Sequence, residues 1–319
     1  MEIKNWLKSF FTQHWNYMAV STACKLHLFD HLQDKKTIKQ LAQELSLNER
    51  TLTFLLNALH QANFLIKEND FFKVNSIAEF LTENHPESLK YACMNWSAEH
   101  LTAWQNLDFS IQTGKSSFEN IYAKSFFDYL NDFPEKLDAY HKAMYEYAKD
   151  DYKNLHSLID FSKHKTVMDV GGGYGAVVEN IKAKYPNVEC FLFDLEKVVQ
   201  NLNILFIKKI SGSFFDEIPN VAEAIVLSRV LHDWNDEKAH IILKNCYKAL
   251  PAGGTLYVIE NCADKIPVDL SLLSLNMILM CESYERTSTQ YIALCKSVGF
   301  QCEFEIQLNQ LQTILIFKK

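Results

Sequence analysis

Thr166-Val-Met-Asp169-Val-Gly171-Gly172-Gly173-Tyr174-Gly175-Ala-Val-Val-Glu-Asn-Ile-Lys-Ala-Lys-Tyr185 is the most informative stretch of this 319-residue chain. Its first five residues combine three apolar side chains with Thr166 and Asp169, the pattern of a strand buried on both faces. Four glycines in five positions follow. After them, AVVENIKAKY has the spacing of an amphipathic helix. Strand, glycine turn and helix in this order open a doubly wound sheet, whose ligands sit at the carboxyl ends of the strands. Glycine lets the chain turn sharply there and lets a ligand approach the backbone. One strand later, Cys190-Phe-Leu-Phe-Asp194 ends in a carboxylate placed to accept both hydroxyls of a ribose.

Three occupants fit this loop. It is a tight turn with no ligand, a dinucleotide site, or a site for S-adenosylmethionine. Gly171-x-Gly173-x-x-Ala176 satisfies the dinucleotide pattern. Asp169, two residues before the first glycine, favours adenosylmethionine, because an acid there can face the cationic amino group of a methionine moiety.

Outward from the loop, strand-like and helical runs alternate to the end of the chain. VECFLFDL, VAEAIVLSRVL and GTLYVIENC read as strands, and DEKAHIILKNCYKAL, LSLLSLNMILMC and TSTQYIALCKSVG as helices. FQCEFEIQL and QTILIFKK close the chain as a strand pair. The alternation predicts an α/β domain with a mostly parallel sheet, and the final pair an antiparallel edge. The first half is different, with helical periodicity and one glycine, Gly114, up to about residue 150. Within it Thr37 reads as an N-cap, a second helix follows the turn at 46–48, and NFLIKENDFFKVN reads as a hairpin. Helix, turn, helix, hairpin is a winged-helix pattern. The expected division is therefore 1–150 and 151–319.

Bulk composition narrows the function. Hydrophobic residues make up 48% and charged residues 22%, with a formal net charge of −7. Residues 37–81 carry four Lys or Arg against five Asp or Glu, a poor phosphate-binding surface. The balance argues against nucleic acid and anionic membranes as partners. No apolar run is long enough to span a bilayer, and the N-terminus lacks a signal-peptide pattern, so the expected location is cytoplasmic. The eight cysteines (24, 93, 190, 246, 262, 281, 295 and 302) form no C-x-x-C pair and read as small buried hydrophobes. No clustered ligand spacing points to a metal.

Leu227-Ser-Arg-Val-Leu-His232-Asp233-Trp234-Asn-Asp-Glu237, together with DVGGGYG, resembles the class I S-adenosylmethionine-dependent O-methyltransferases that act on small molecules. That family includes plant phenylpropanoid, animal hydroxyindole and bacterial polyketide and phenazine enzymes. The resemblance covers nearly the whole chain. It implies a Rossmann-like, mostly parallel seven-stranded sheet with an antiparallel C-terminal hairpin. It also implies a winged-helix-like N-terminal domain that forms a homodimer and plays no DNA-binding role. The cofactor implied is S-adenosylmethionine, released as S-adenosylhomocysteine, with no metal and with a small aromatic or polyketide-like acceptor.

Residue by residue, the resemblance makes His232 the catalytic base, with Glu260 and Glu285 flanking or orienting it. Cofactor contacts fall on Asp169, Gly171, Gly173, Gly175, Asp194, Leu195, Ser213, Phe214, Ser228 and Arg229. Acceptor contacts fall on Met94, Asn95, Met144, Asp233, Asn276 and Met280. Two departures stand out. Ser213 replaces an acid that meets the adenine end in many members, and Ser283-Tyr284 replaces a glycine and a basic residue before Glu285. The chemistry suits these residues: at neutral pH only about a thousandth of a phenol is ionised, so a positioned imidazole is the natural base. Three other readings stand beside it, the second disfavoured by the acidic balance and the third by the order of domains and the H-D-W motif. They are a repurposed reaction on the same scaffold (N-methylation, decarboxylation, hydroxylation or pericyclic chemistry), a winged-helix DNA-binding regulator, and a nicotinamide oxidoreductase.

Overall fold

The structure, a computed structural model, describes residues 2–200, 202–265 and 270–319. The chain forms two compact units, 1–99 and 100–319.

In the first unit, helices Glu2–Phe11, Gln13–Lys25 and Leu28–His31 precede helices Ile38–Glu44 and Glu49–Gln61. Thr37 caps the fourth helix in a reciprocal capping box with Gln40, and Asn48 caps the fifth. Strands β1 (Lys36–Thr37), β2 (Leu65–Glu68) and β3 (Phe71–Val74) form an antiparallel sheet in the order β1-β3-β2. The winged-helix expectation therefore describes this unit. Its core gathers Leu28, Phe29, Leu41, Leu52, Leu56, Leu59, Phe72 and Val74. Lys90 is buried in the same unit, where it donates to Asp30 and Glu83 at 2.7 and 2.8 Å. A buried ammonium persists only when paired in this way.

The second unit is a seven-stranded sheet of β4 (Thr166–Val170), β5 (Glu189–Asp194), β6 (Ile207–Ser211), β7 (Ala224–Ser228), β8 (Thr255–Asn261), β9 (Gln301–Gln307) and β10 (Gln312–Lys318). The order is β6-β5-β4-β7-β8-β10-β9, with the first five strands parallel and β10 antiparallel to both neighbours. Alternation along each strand divides the core between the two faces. Met168, Phe191, Phe193, Ile225, Leu227, Leu256 and Val258 pack on one side with the helix Asp236–Ala249. Val167, Cys190, Leu192, Val226 and Ile259 pack on the other with the helix Ala176–Lys184.

Two expectations need correction. The boundary falls at Glu99, not near 150, because the helices of 100–151 pack within the second unit. Ser116 donates to Leu279 O at 2.7 Å, and Tyr145 to Glu179 at 2.6 Å from the helix Pro134–Asp151. The segment VAEAIVLSRVL is a strand only over 224–228; Arg229 then takes a positive φ and Leu231–Asp233 wind into a 3-10 turn. β6 adds a strand that the pattern of hydrophobicity does not announce.

Candidate active site

At the carboxyl ends of β4, β5 and β7 lies a cavity of about 320 Å³. Its floor is the glycine turn. Gly171, at φ +71, donates to Phe193 O at 2.8 Å, and a β-carbon there would meet Val230 at 2.9 Å. Gly173, at φ +54, donates to Asp194 Oδ2 at 2.8 Å. The backbone thus takes one lone pair of Asp194, and Leu195 N at 2.7 Å takes a second. The remaining acceptor capacity of that carboxylate is available to the cavity it lines.

Asp169 is in the opposite condition. It is 1% exposed, lines the cavity, and neither carboxylate oxygen has a hydrogen-bond partner among the described residues. Burial, reinforced by Asp194, pushes its pKa up to about 8. An unpartnered buried acid costs free energy unless a donor or cation meets it, so the site has the chemistry to receive an ammonium group. Arg229 lines the same cavity with a buried, unpartnered Nε, and its Nη1 stands 3.6 Å from Asp151. Its left-handed backbone at φ 53 is strained for a non-glycine residue. Ser228 shares a hydrogen bond of 2.6 Å with Tyr152. Leu195, Ser213 and Phe214 complete this end of the cavity.

His232 sits on the 3-10 turn, 5% exposed and lining the cavity. Its Nδ1 donates to Glu285 Oε1 at 2.9 Å, which leaves Nε2 as the free ring nitrogen, 3.7 Å from Asp233 Oδ1. Burial opposes charge on the ring, yet Glu285, Asp233 and Glu260 outweigh it and push the pKa up to about 10. The same pairing holds Glu285 below its ordinary value against its own burial. Glu260 does not bond the ring. It accepts the backbone N–H groups of Val230 and Leu231 at 3.0 and 2.8 Å and so fixes the turn that carries His232. Burial lifts its pKa to about 7.

Some side chains of this site were not among the expected contacts, although Trp234 and Arg286 stand inside or beside the motifs that carry the resemblance. Arg286 is fully buried and donates to Leu231 O at 2.9 Å, to Trp234 O at 2.7 Å and to Asp236, tying down both sides of the histidine. Phe127, Tyr140, His141 and Trp234 line the cavity with Met144 and Asp233. Phe127 and Trp234 lie with ring centroids 5.4 Å apart. Asn276 and Met280 are elsewhere: Asn276 accepts from Trp104 Nε1 at 2.9 Å, and Met280 is buried in a cluster with Phe118, Phe126 and Leu279. Met94 and Asn95 belong to the first unit, on the helix Lys90–Trp96, where Met94 packs against that unit's core. Gly175 closes the turn as the N-cap of the helix Ala176–Lys184.

Comparison with known proteins accords with this geometry. Residues 104–301 match the O-methyltransferase domain model and residues 9–84 the O-methyltransferase dimerisation domain model. The phenazine O-methyltransferase of Lysobacter antibioticus is 29% identical, covering 92% of this chain and 89% of its own length. The cephaeline 6′-O-methyltransferase of Carapichea ipecacuanha is 30% identical, covering 89% and 87%. Among solved structures, LaPhzM superposes with a TM-score of 0.93 at 27% identity, covering 99% of both chains. Human N-acetylserotonin methyltransferase, solved with S-adenosylmethionine, has the same fold, at a TM-score of 0.90 and 23% identity over 100% and 98% of the two chains. The turn-borne histidine, the glycine floor and these matches agree, and the chain belongs to the O-methyltransferase family.

Proposed function

We propose that the protein moves a methyl group from S-adenosylmethionine to an oxygen of a small aromatic acceptor, with His232 receiving the acceptor's proton. The observation that carries this reading is the buried His232–Glu285 pair, whose free Nε2 belongs to the same cavity as Asp169 and Asp194.

S-adenosylmethionine, held here, would supply a sulfonium-activated methyl group for transfer to the acceptor oxygen. Asp169 holds the amino group, Asp194 the ribose hydroxyls, and Leu195, Ser213 and Phe214 the adenine end, over a floor made by Gly171, Gly173 and Gly175. Ser228 and Arg229 serve the methionine end. Met144 and Asp233 bound the acceptor space, with Phe127, Tyr140 and Trp234 as its aromatic walls. Glu285 keeps the Nδ1 proton in place, so Nε2 is the atom that takes a proton. The carboxylates of Glu285, Asp233 and Glu260, which raise the ring's pKa, also stabilise the positive charge it gains on receiving a phenol's proton. Excluding water and fixing the reacting atoms supply the rest of the acceleration. Met94, Asn95, Asn276 and Met280 keep a proposed influence on acceptor choice through the family resemblance alone.

The assembly is a homodimer built through the N-terminal unit. Support comes from the dimerisation-domain match and from the helix Glu2–Phe11, which buries none of its residues and exposes Ile3, Trp6, Phe10 and Phe11. Light scattering is expected to give twice the chain mass. No described helix is long and apolar enough to cross a membrane.

The test combines binding and transfer. Calorimetry is expected to show micromolar affinity for S-adenosylmethionine and S-adenosylhomocysteine and none for NAD. A panel of phenols is then incubated with methyl-labelled cofactor, and the label is expected on oxygen. Binding of NAD alone, or label only on nitrogen or carbon, defeats the reading.

A further inference from the structure

His141 lies on the helix Pro134–Asp151, whose residues Leu137, His141, Met144 and Ala148 face the cavity at helical spacing. The family motifs assign it no role. Its ring stacks on Tyr174 of the glycine loop, with centroids 5.2 Å apart and planes 22° apart. Tyr174 is itself fixed to Asp138, one turn earlier on the same helix. The imidazole is pressed against the loop so closely that a β-carbon on Gly173 would stand 3.2 Å from Nδ1. Gly173 N is also the donor that holds Asp194, at 2.8 Å. Neither ring nitrogen of His141 has a hydrogen-bond partner among the described residues.

The geometry points to His141 as a cofactor-positioning residue that hydrogen-bonds a ribose hydroxyl which it shares with Asp194. The inference rests on the proposed assignment of Asp194 to the ribose. Burial holds the His141 pKa below its ordinary value, so the ring is neutral at neutral pH. A neutral imidazole offers one donor and one acceptor nitrogen. Asp194 only accepts, so a ribose hydroxyl that donates to Asp194 retains lone pairs for a donor. A neutral imidazole provides that donor without setting a second charge beside the carboxylate. The stack on Tyr174 removes the rotational freedom that the ring would otherwise lose on binding. The helix that carries Met144 toward the acceptor space is thereby coupled to the sugar of the donor.

The test uses the full chain with S-adenosylhomocysteine and its 2′-deoxy and 3′-deoxy analogues, titrated into the wild type, His141→Phe and His141→Gln. Phenylalanine keeps the stack on Tyr174 and removes both nitrogens, and thermal melting checks that it folds. His141→Phe is expected to weaken S-adenosylhomocysteine binding roughly five- to tenfold. It is also expected to shrink, at least threefold, the penalty for losing one of the two hydroxyls. Glutamine is expected to recover part of that affinity. Deoxy penalties identical in wild type and His141→Phe overturn the proposal. No penalty for either analogue in the wild type overturns the ribose assignment of Asp194, and this proposal with it.

Discussion

Asp169 and Glu285 are both buried carboxylates of the same unit, and they sit in opposite states. Glu285 faces an imidazole 2.9 Å away and is held ionised. Asp169 has no hydrogen-bond partner among the described residues, and burial lifts its pKa to about 8. One acid is paired with the proposed base through one of its oxygens; the other has no partner for either oxygen among the described residues and lines the proposed binding site. The contrast shows how a single cavity divides its work. At the His232 end, side chains from three segments complete each other before any ligand arrives. At the glycine-loop end, the fold leaves a buried carboxyl without a partner among the described residues, where the proposed function places the cofactor's amino group.

The largest expected effect breaks the His232 end. His232→Ala is expected to lower turnover about a thousandfold, as loss of a general base commonly does, while calorimetry finds cofactor affinity within a few fold of wild type. Undiminished methylation by this variant removes the base assignment. Asp169→Asn breaks the other end and is expected to weaken S-adenosylmethionine binding roughly 30-fold or more, since one partner of a buried charge pair is lost. It carries a second signature. An acid whose pKa rises from 3.8 to about 8 on folding costs stability, and the cost grows as pH climbs from about 4 to 8. The ligand-free Asn variant is therefore expected to gain thermal stability over wild type across that window. A constant difference in melting temperature from pH 4 to 8 contradicts the unsatisfied state of Asp169.

How visible each end was in the sequence follows from the same contrast. The glycine loop is local: Asp169, Gly171, Gly173 and Asp194 are read within 26 residues, because buried parallel strands are apolar and their turns demand glycine. The base cluster joins residues 53 apart, His232 to Glu285, and no spacing rule predicts that contact. Only the resemblance placed those two together, and it cast Glu260 as a partner of the ring where the fold uses it to hold the turn. β6, Ile-Lys-Lys-Ile-Ser, escaped because an exposed edge strand carries lysines that blur its alternation. The boundary at Glu99 escaped because helical periodicity runs through it unchanged, and only packing tells to which core a helix belongs. Asn276 and Met280 came from the resemblance, and what the fold adds is their packing: Asn276 against Trp104, and Met280 among Phe118, Phe126 and Leu279.

Glu285→Gln sharpens the comparison at lower amplitude. Turnover is expected to fall roughly ten- to a hundredfold, because glutamine still accepts the Nδ1 proton but no longer stabilises positive charge on the ring. The pH dependence gives the sign. A histidine whose pKa is raised from 6.5 to about 10 lends stability that is complete below pH 6.5 and lost as pH rises through 10. Removing the nearest carboxylate lowers the folded value, so between pH 7 and 10 the wild type is expected to lose more stability than Glu285→Gln. Equal losses in the two proteins break the link between Glu285 and the ring.

The smallest expected signal is a fraction of a proton, and it reads both ends at once. Burial raises the pKa of Asp169 to about 8 and the neighbouring carboxylates raise that of His232 to about 10, so protons released on binding report on both ends. The amino group common to S-adenosylmethionine and S-adenosylhomocysteine favours ionised Asp169, so both are expected to release protons on binding. Only S-adenosylmethionine brings a sulfonium charge, and a nearby cation favours the neutral imidazole. At pH 8–9, calorimetry in buffers of different ionisation enthalpy is expected to show more protons released by S-adenosylmethionine than by S-adenosylhomocysteine. That difference is expected to vanish in His232→Ala, while the part common to both ligands vanishes in Asp169→Asn. The expected difference corresponds to a donor that displaces the ring's proton, which would make His232 competent as a base only when a methyl group is present to transfer. Equal release by the two ligands in the wild type means instead that the acceptor must arrive already ionised, and that His232⁺ serves as its counter-ion.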